Sequence, residues 1–402
     1  QCLTSLPTEL TVTENLNVQP VKLPLFVSSQ LGFLAIYLLT DFDKLVRKII
    51  LAHHTAVIDR GIEWSYAELN TMVDYAASAL RSRGISHGDV VTWQLPNWIE
   101  ALVVHHAALR IGAITNPIIP IYRHAETKFI LRQARSKIVF VPSQFRGFDY
   151  PRMIADIRPG LPQLQTVVVV AGDEAGGDVG YSALIRQGRD RPLDKAGRDG
   201  NDLALLLYTS GTTSAPKGAL HTHNTLDYEN RSIIELFELS KQDVVFMPSP
   251  VGHITGLLYG MQLPFMLGGT VVLLDIWEPG KALQLIAAHR CSFIVAPTPF
   301  LHGILHHPHL PATDLSSLRV FVCGGADVPP DLIRAATITL NCTVSRAYGS
   351  TEYPTATCSN AHDPLDKRTR TDGRAIGAAQ LRVITERGSD APAGSIGELL
   401  VR

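Results

Sequence analysis

The feature that most limits how this 402-residue chain can fold is a series of short, unbroken apolar runs bounded by Gly, Pro or Asp. They are Thr166–Ala171, Leu203–Tyr208, Thr270–Leu274, Ser292–Ala296 and Leu318–Val322. A strand with one face in water alternates apolar and polar residues, whereas a strand covered on both faces need not. Helical stretches such as Ala282–His289 and Pro330–Leu340 lie between the runs. Strands and helices in alternation imply α/β layers with largely parallel sheets. The front half follows the same pattern. Ser65-Tyr66-Ala67-Glu68 reads as a capping box opening a helix. Leu69, Val73, Ala76, Ala77 and Leu80 follow at helical spacing, and Gly84 closes it. Asp89 to Leu95 then predicts a strand, and Ile99 to Ile111 a helix ended by Gly112. The Gly-rich stretch Ala171–Gly180 predicts a mobile surface loop or a boundary between lobes.

Composition narrows the class. The chain is 46% hydrophobic and 18% charged, with a formal net charge of −1. Without a dense Lys/Arg run, this argues against a nucleic-acid partner. The five cysteines (Cys2, Cys291, Cys323, Cys342 and Cys358) are odd in number and scattered, which fits neither a disulfide framework nor a zinc site. A reducing, cytoplasmic setting is expected, with Cys291 and Cys323 as small buried hydrophobes. Residues 1–41 form an atypical lead-in. Its run Leu23–Thr40 is uncharged and near the lower length limit of a membrane span, but Pro24 and Ser28-Ser29-Gln30 dilute it. A lead-in strand and helix, or sequence foreign to the domain, is the expected reading; peripheral membrane contact is left open. The ordered domain is expected from about Phe42 to Arg402. Nothing in the sequence specifies an oligomeric state.

The chemistry concentrates at Tyr208-Thr209-Ser210-Gly211-Thr212-Thr213-Ser214-Ala215-Pro216-Lys217-Gly218. A buried-strand pattern runs straight into small residues whose backbone amides can approach an anion. Four hydroxyls and the Lys217 charge are added, so the composition is that of a phosphate cradle. It is not a Walker A loop, which needs Gly-Lys-Ser/Thr at a spacing this stretch lacks.

This segment resembles the signature loop of the adenylate-forming superfamily of acyl-CoA synthetases, luciferases and nonribosomal-peptide adenylation domains. The glycine usual after the two threonines is Ser214 here. Four further stretches match in order. Pro248–Gly256 resembles the segment whose aromatic or His, here His253, sits between nucleotide and acyl pocket. Val322-Cys323-Gly324-Gly325-Ala326 resembles the strand end lying against adenine. Arg346-Ala347-Tyr348-Gly349-Ser350-Thr351-Glu352 resembles the motif whose Tyr stacks on adenine, whose Thr meets the α-phosphate and whose Glu holds Mg²⁺. Gly394–Leu399 resembles the strand preceding a ribose-binding Asp.

The resemblance implies an α/β fold: the large N-terminal domain of the adenylate-forming fold, with two αβ-layered subdomains and the start of a small distorted β-barrel. It implies ATP, Mg²⁺ and coenzyme A, and a small-molecule carboxylic acid as partner. It assigns catalysis to Thr209, Lys217, His253, Thr351 and Glu352. Nucleotide contacts fall to Thr209, Ser210, Gly211, Thr212, Thr213, Lys217, Gly324, Gly325, Ala326, Tyr348, Gly349, Ser350 and Thr351, and the metal to Glu352 with Thr209. In the implied reaction a carboxylate attacks the α-phosphorus of ATP, pyrophosphate leaves, and in the ligases the thiol of coenzyme A takes the acyl group.

Amino-acid-activating members place an Asp in the stretch corresponding to Gly252–Gly256. Its absence here favours an acid without an α-amine. Leu257, Leu258, Met261, Phe300 and Leu301 are candidate pocket residues or ordinary core, and the wording most resembles medium-chain and cyclohexanecarboxylate ligases. His302, His306, His307 and His309 read as a solvated helix end, His221 and His223 as packing for the loop, and His105-His106 as core or surface. The family's Thr-Gly-Asp segment, hinge and small C-terminal domain with its adenylating Lys are not in the 402 residues. The chain alone is therefore expected to bind ATP weakly, to adenylate poorly and not to complete the thioester. A non-catalytic nucleotide- or acyl-binding remnant is the alternative.

Overall fold

The computed structural model describes residues 53–172, 177–189, 191, 193, 199–209 and 216–402. The lead-in of residues 1–41, its apolar run, the expected start at Phe42, and residues 210–215 of the hydroxyl loop lie outside the described residues.

Among the described residues, two large sheets dominate. The nine-stranded sheet runs in the order Arg374–Ala375, Thr357–Cys358, Thr343–Tyr348, Val320–Gly324, Phe293–Ala296, Val244–Met247, Thr270–Leu273, Thr55–Asp59, Ile62–Ser65. From Thr343–Tyr348 to Thr55–Asp59 every pairing is parallel, and only the edges are antiparallel. The seven-stranded sheet runs Lys217–Thr222, Leu203–Thr209, Ile114–Pro117, Val90–Trp93, Ile138–Pro142, Thr166–Val170, Val179–Gly180. It is parallel except for the pair Leu203–Thr209 with Lys217–Thr222.

The unbroken apolar runs have a direct cause. Val245, Met247, Phe293, Val295, Val320 and Val322 point into one core. Phe246, Ile294 and Phe321, between them in sequence, point into a second core on the opposite face. Successive side chains of a strand alternate faces, so a sheet covered on both sides needs apolar residues at every position. In the seven-stranded sheet, Ile138 and Phe140 join the first core, while Val139 and Val141 join a third.

The helices also follow their sequence signals. Ser65 caps Tyr66–Ser82: its hydroxyl accepts from the Glu68 amide while Glu68 accepts from the Ser65 amide at 2.7 Å. Leu69, Val73, Ala76, Ala77 and Leu80 form its buried face. Helix Ile99–Arg110 packs between the sheets, against Thr55–Asp59 of one and Val90–Trp93 and Ile114–Pro117 of the other. His105 and His106 are both buried there, which resolves their two readings in favour of the core.

The segment just before this helix fastens the two sheets together. The Asn97 side-chain amide faces the carbonyls of Met247, Ser249 and Leu274 at 3.2, 2.8 and 3.0 Å, and its oxygen accepts from the Val251 amide at 2.9 Å. The Trp98 indole donates to Asp275 at 2.9 Å. The Ile99 amide donates to Asp59, which thereby caps the helix from the neighbouring sheet.

Two expectations change. Ala171–Gly180 is not wholly a loop: Val179–Gly180 adds a parallel edge strand beside Thr166–Val170, and Asp178 accepts from the Val167 amide. Of the expected barrel, a two-stranded antiparallel ribbon of Leu381–Ile384 and Glu398–Val401 is present. Its second strand begins only at Glu398, so Gly394–Gly397 leads into the strand without being part of it, with Ile396 fully exposed. No helix among the described residues is long and apolar enough to cross a membrane.

Candidate functional site

A cleft of roughly 220 Å³ opens at the carboxyl ends of three adjacent parallel strands, Phe293–Ala296, Val320–Gly324 and Thr343–Tyr348. In open α/β sheets this is where ligands bind, because the loops that leave the strand ends converge there. Seven of the residues singled out from sequence line it: His253, Gly324, Gly325, Tyr348, Gly349, Ser350 and Thr351. They come from three separate segments that only the fold brings together.

One wall is mostly backbone. The strand Thr343–Tyr348 ends at Gly349 and turns tightly, with the Ser350 amide donating to the Tyr353 carbonyl at 2.8 Å and the Ala356 amide to the Tyr348 carbonyl at 2.9 Å. A Cβ on Gly349 would lie 1.9 Å from the Pro354 carbonyl oxygen, and one on Gly324 would lie 2.5 Å from that of Ala347. Glycine is required at both because backbone passes where a side chain would stand. The exception on this wall is Tyr348, an aromatic ring 42% exposed to solvent, which offers a free face for a flat base. Arg346, in the same motif, points away: it donates to Asp372 at 3.0 Å and to the Thr369 carbonyl, anchoring the strand from behind.

The other wall is made of side chains: Ile233, Ile254, Thr255, Tyr259, Val295 and Val322. His253 stands at the join, on the cap of helix Ile254–Met261, where its Nδ1 accepts from the Thr255 amide at 3.4 Å. The ring is open to the cleft, yet the protein around it displaces enough water to pull its pKa below the usual imidazole value. Leu257, Leu258, Met261 and Leu301 are fully buried core and do not reach the cleft, and Phe300 packs on Trp277. On this helix the cleft side is set by residues 254, 255 and 259, and the leucines face the opposite way.

The remaining predicted residues lie outside the lining. Thr209 ends its strand beside Lys217, and its hydroxyl donates to the Lys217 carbonyl at 3.4 Å. Both therefore stand where residues 210–215 leave and rejoin the seven-stranded sheet. Ala326 follows the lining glycines and is exposed. Glu352 is exposed, has no ion pair among the described residues, and lies close enough to His221 to influence it electrostatically. His221, read from sequence as packing for the loop, has a more specific place. Its Nε2 donates to the Thr351 carbonyl at 2.8 Å, and Nδ1 accepts from Thr225. Burial pulls its pKa down, against the opposing pull of Thr351 and Glu352. It ties the strand after the loop to the motif on the other sheet.

Sequence reading passed over the layer behind the side-chain wall. Glu229 is 3% exposed and accepts from the Tyr259 hydroxyl at 2.7 Å. Tyr259 in turn meets the Thr355 hydroxyl at 2.5 Å. Burial raises the pKa of Glu229 above the usual carboxylate value. A signal was available: Leu226, Ile233 and Phe237 mark the buried stripe of helix His223–Phe237, and Glu229 and Asn230 fall on it at helical spacing.

A family model described as AMP-binding enzyme matches residues 51–402. A second, for the transcriptional regulator AcaB, matches residues 1–82. Where the two overlap, the chain contributes Thr55–Asp59 to the interior of the nine-stranded sheet, which places that stretch with the first. The medium-chain fatty-acid–CoA ligase of Escherichia coli is 34% identical over 85% of this chain and 61% of its own length. The indoleacetate–CoA ligase of Aromatoleum aromaticum is 32% identical over 84% of this chain and 65% of its own. The chain thus spans less than two thirds of these relatives. Among solved structures, ATP-bound MatB from Rhodopseudomonas palustris superposes with a TM-score of 0.78 at 26% identity, covering 92% of this chain and 70% of that one. The anthranilate CoA ligase AuaEII in complex with anthranoyl-AMP superposes at 0.82 with 23% identity, covering 90% and 69%. The fold, the order of the motifs and the family match agree: this chain belongs to the AMP-binding enzyme family.

Proposed function

We propose that this chain is the acid- and ATP-binding part of an acid–thiol ligase, which activates a carboxylic acid as its acyl-adenylate and, in the whole protein, passes the acyl group to coenzyme A. The observation that carries this reading is the cleft itself, where a glycine wall with one exposed aromatic meets an apolar wall at His253. In this reading Tyr348 stacks on adenine between Gly324 and Gly349, and Ala326 flanks that strand end. Ser350 and Thr351 face the α-phosphate. Thr209, Lys217 and residues Ser210, Gly211, Thr212 and Thr213 hold the leaving pyrophosphate. The attacking carboxylate is already ionised at neutral pH, so the chain needs to orient it and to oppose charge, not to remove a proton.

Glu352 suits Mg²⁺: a hard, exposed carboxylate next to Thr351 and free of ion pairs among the described residues. When bound there with ATP, the ion supplies positive charge against the phosphates.

The acid is one without an α-amine, fatty or cyclic. Support comes from the apolar lining by Ile233, Ile254, Val295 and Val322, from the lack of an acid in Gly252–Gly256, and from the names of the relatives. The test is acid-dependent ATP–pyrophosphate exchange over a panel of fatty, cyclic, aromatic and amino acids. Exchange stimulated by fatty or cyclic acids, and lost in Glu352→Ala, is expected. No exchange with any acid, together with no ATP binding by calorimetry, refutes the reading for this chain.

A further inference from the structure

Glu229 poses a physical problem. It sits on the buried stripe of its helix between Leu226 and Ile233, where a leucine would complete the core without any desolvation cost. It has no ion-pair partner among the described residues. A buried carboxyl without a cation opposes folding unless hydrogen bonds compensate. Here the compensation comes from Tyr259, whose hydroxyl donates to Glu229, and from Thr355, whose hydroxyl and amide also bond to it, while the Tyr259 and Thr355 hydroxyls meet each other. Both of these residues line the cleft and Glu229 does not. Ile233, one turn further along the same helix, lines it as well. The carboxyl is therefore an anchor set behind the side-chain wall, and Tyr259 is the bulky residue it holds.

Without the anchor, the Tyr259 ring would still be packed, but its hydroxyl would have lost one of two partners, and its rotamer would no longer be fixed by a network. We propose that Glu229 is a positioning residue for the acyl end of the cleft: through Tyr259 and Thr355 it fixes the wall on which the carbon chain of the acid rests, and so limits the chain length the site accepts. The inference builds on the reading of this cleft as an acyl-adenylate site.

The experiment is calorimetric titration of this chain with non-hydrolysable acyl-sulfamoyl adenosines carrying butanoyl, octanoyl and dodecanoyl groups, with AMP as a control for the nucleotide wall. Glu229→Leu and Tyr259→Phe both remove the hydrogen bond between the two residues, each together with its own bond to Thr355. Each is expected to improve the dodecanoyl-to-octanoyl affinity ratio about tenfold, a shift of roughly 1.4 kcal/mol, while AMP affinity stays constant. The double variant is expected to add nothing, because the two residues act as one unit. Glu229→Gln, which keeps an acceptor for Tyr259, should return the ratio toward wild type. A purely structural role would lower thermal stability and leave the ratio where it was. An unchanged ratio in folded Glu229→Leu overturns the inference, as do additive effects in the double variant. If Glu229→Leu does not fold, Tyr259→Phe decides alone, since it keeps ring volume. Wild-type chain that binds none of the analogues overturns the acyl-adenylate reading instead, and this inference with it.

Discussion

The two walls of the cleft are built from different material. The wall ending in Gly324, Gly325 and Gly349 presents main chain, packed so tightly that a methyl group has no room at Gly324 or Gly349. The wall of Ile233, Ile254, Tyr259 and Val295 presents side chains on two helices and a strand end. Main-chain geometry is set by the sheet and cannot be altered one residue at a time. Side chains can be exchanged without moving the backbone. A site that must hold one constant ligand and one variable ligand divides naturally along this line. Under the proposed function the nucleotide takes the fixed wall and the acid the adjustable one.

The sharpest way to break the comparison is Gly349→Ala. The added methyl must displace the Pro354 carbonyl, and overpacking of this kind costs about 3 kcal/mol. Nucleotide binding measured by calorimetry should fall about 100-fold. A variant that binds ATP normally would show that the tight wall does not matter for the nucleotide.

A second test addresses the helix between the two sheets. Burial holds His105 and His106 neutral, pulling the first well below the ordinary imidazole value and the second to about 3. Their unfolded forms titrate near 6.5, so the stability they contribute is complete above that pH and is lost as pH falls toward the folded values. Between pH 6.5 and 5 His106 should remove roughly 2 kcal/mol, with His105 acting in the same direction, seen as a lower urea midpoint. His105→Asn should flatten the slope; an unchanged slope would mean that the helix between the sheets opens to water.

Tyr348→Ala probes the one side chain on the main-chain wall. Loss of a stacking face costs about 2 kcal/mol, so ATP should bind about 30-fold more weakly, whereas Tyr348→Phe should bind normally. The smallest effect is expected on the adjustable wall. Ile233→Ala should leave ATP affinity unchanged and alter the preference among acids by about 1 kcal/mol or somewhat more, read as acid-dependent exchange across the panel. An equal effect on ATP would erase the distinction between the walls.

These contrasts also explain what was legible in advance. The strands Phe293–Ala296 and Val320–Gly324 and the helix Pro330–Leu340 follow from local pattern, because apolar period and glycine punctuation act over a few residues. The fixed wall was legible too, since its glycines and Tyr348 lie in compact motifs. The adjustable wall was not. Ile233, Tyr259 and Val295 are ordinary apolar residues in sequence, and only the fold selects them over Leu257 or Leu258, which point into the core. The polar residues behind the wall were missed for a related reason. Glu229 has its partners 30 and 126 positions away at Tyr259 and Thr355, and Asn97 reaches 150 or more positions along the chain. Their significance is in a pairing that no local pattern records. His221 was assigned to the loop beside it, but its partner proved to be Thr351 on the other sheet.

Asn97 has a consequence for how the molecule comes apart. Its side chain is shared among three carbonyls and an amide at the strand ends of the nine-stranded sheet, yet its backbone belongs to the turn that leaves the seven-stranded one. Water cannot replace that side chain without entering a buried seam. Opening one sheet at this point therefore strands polar groups of the other, and heating should reveal one cooperative transition across the two layers, which also share a core.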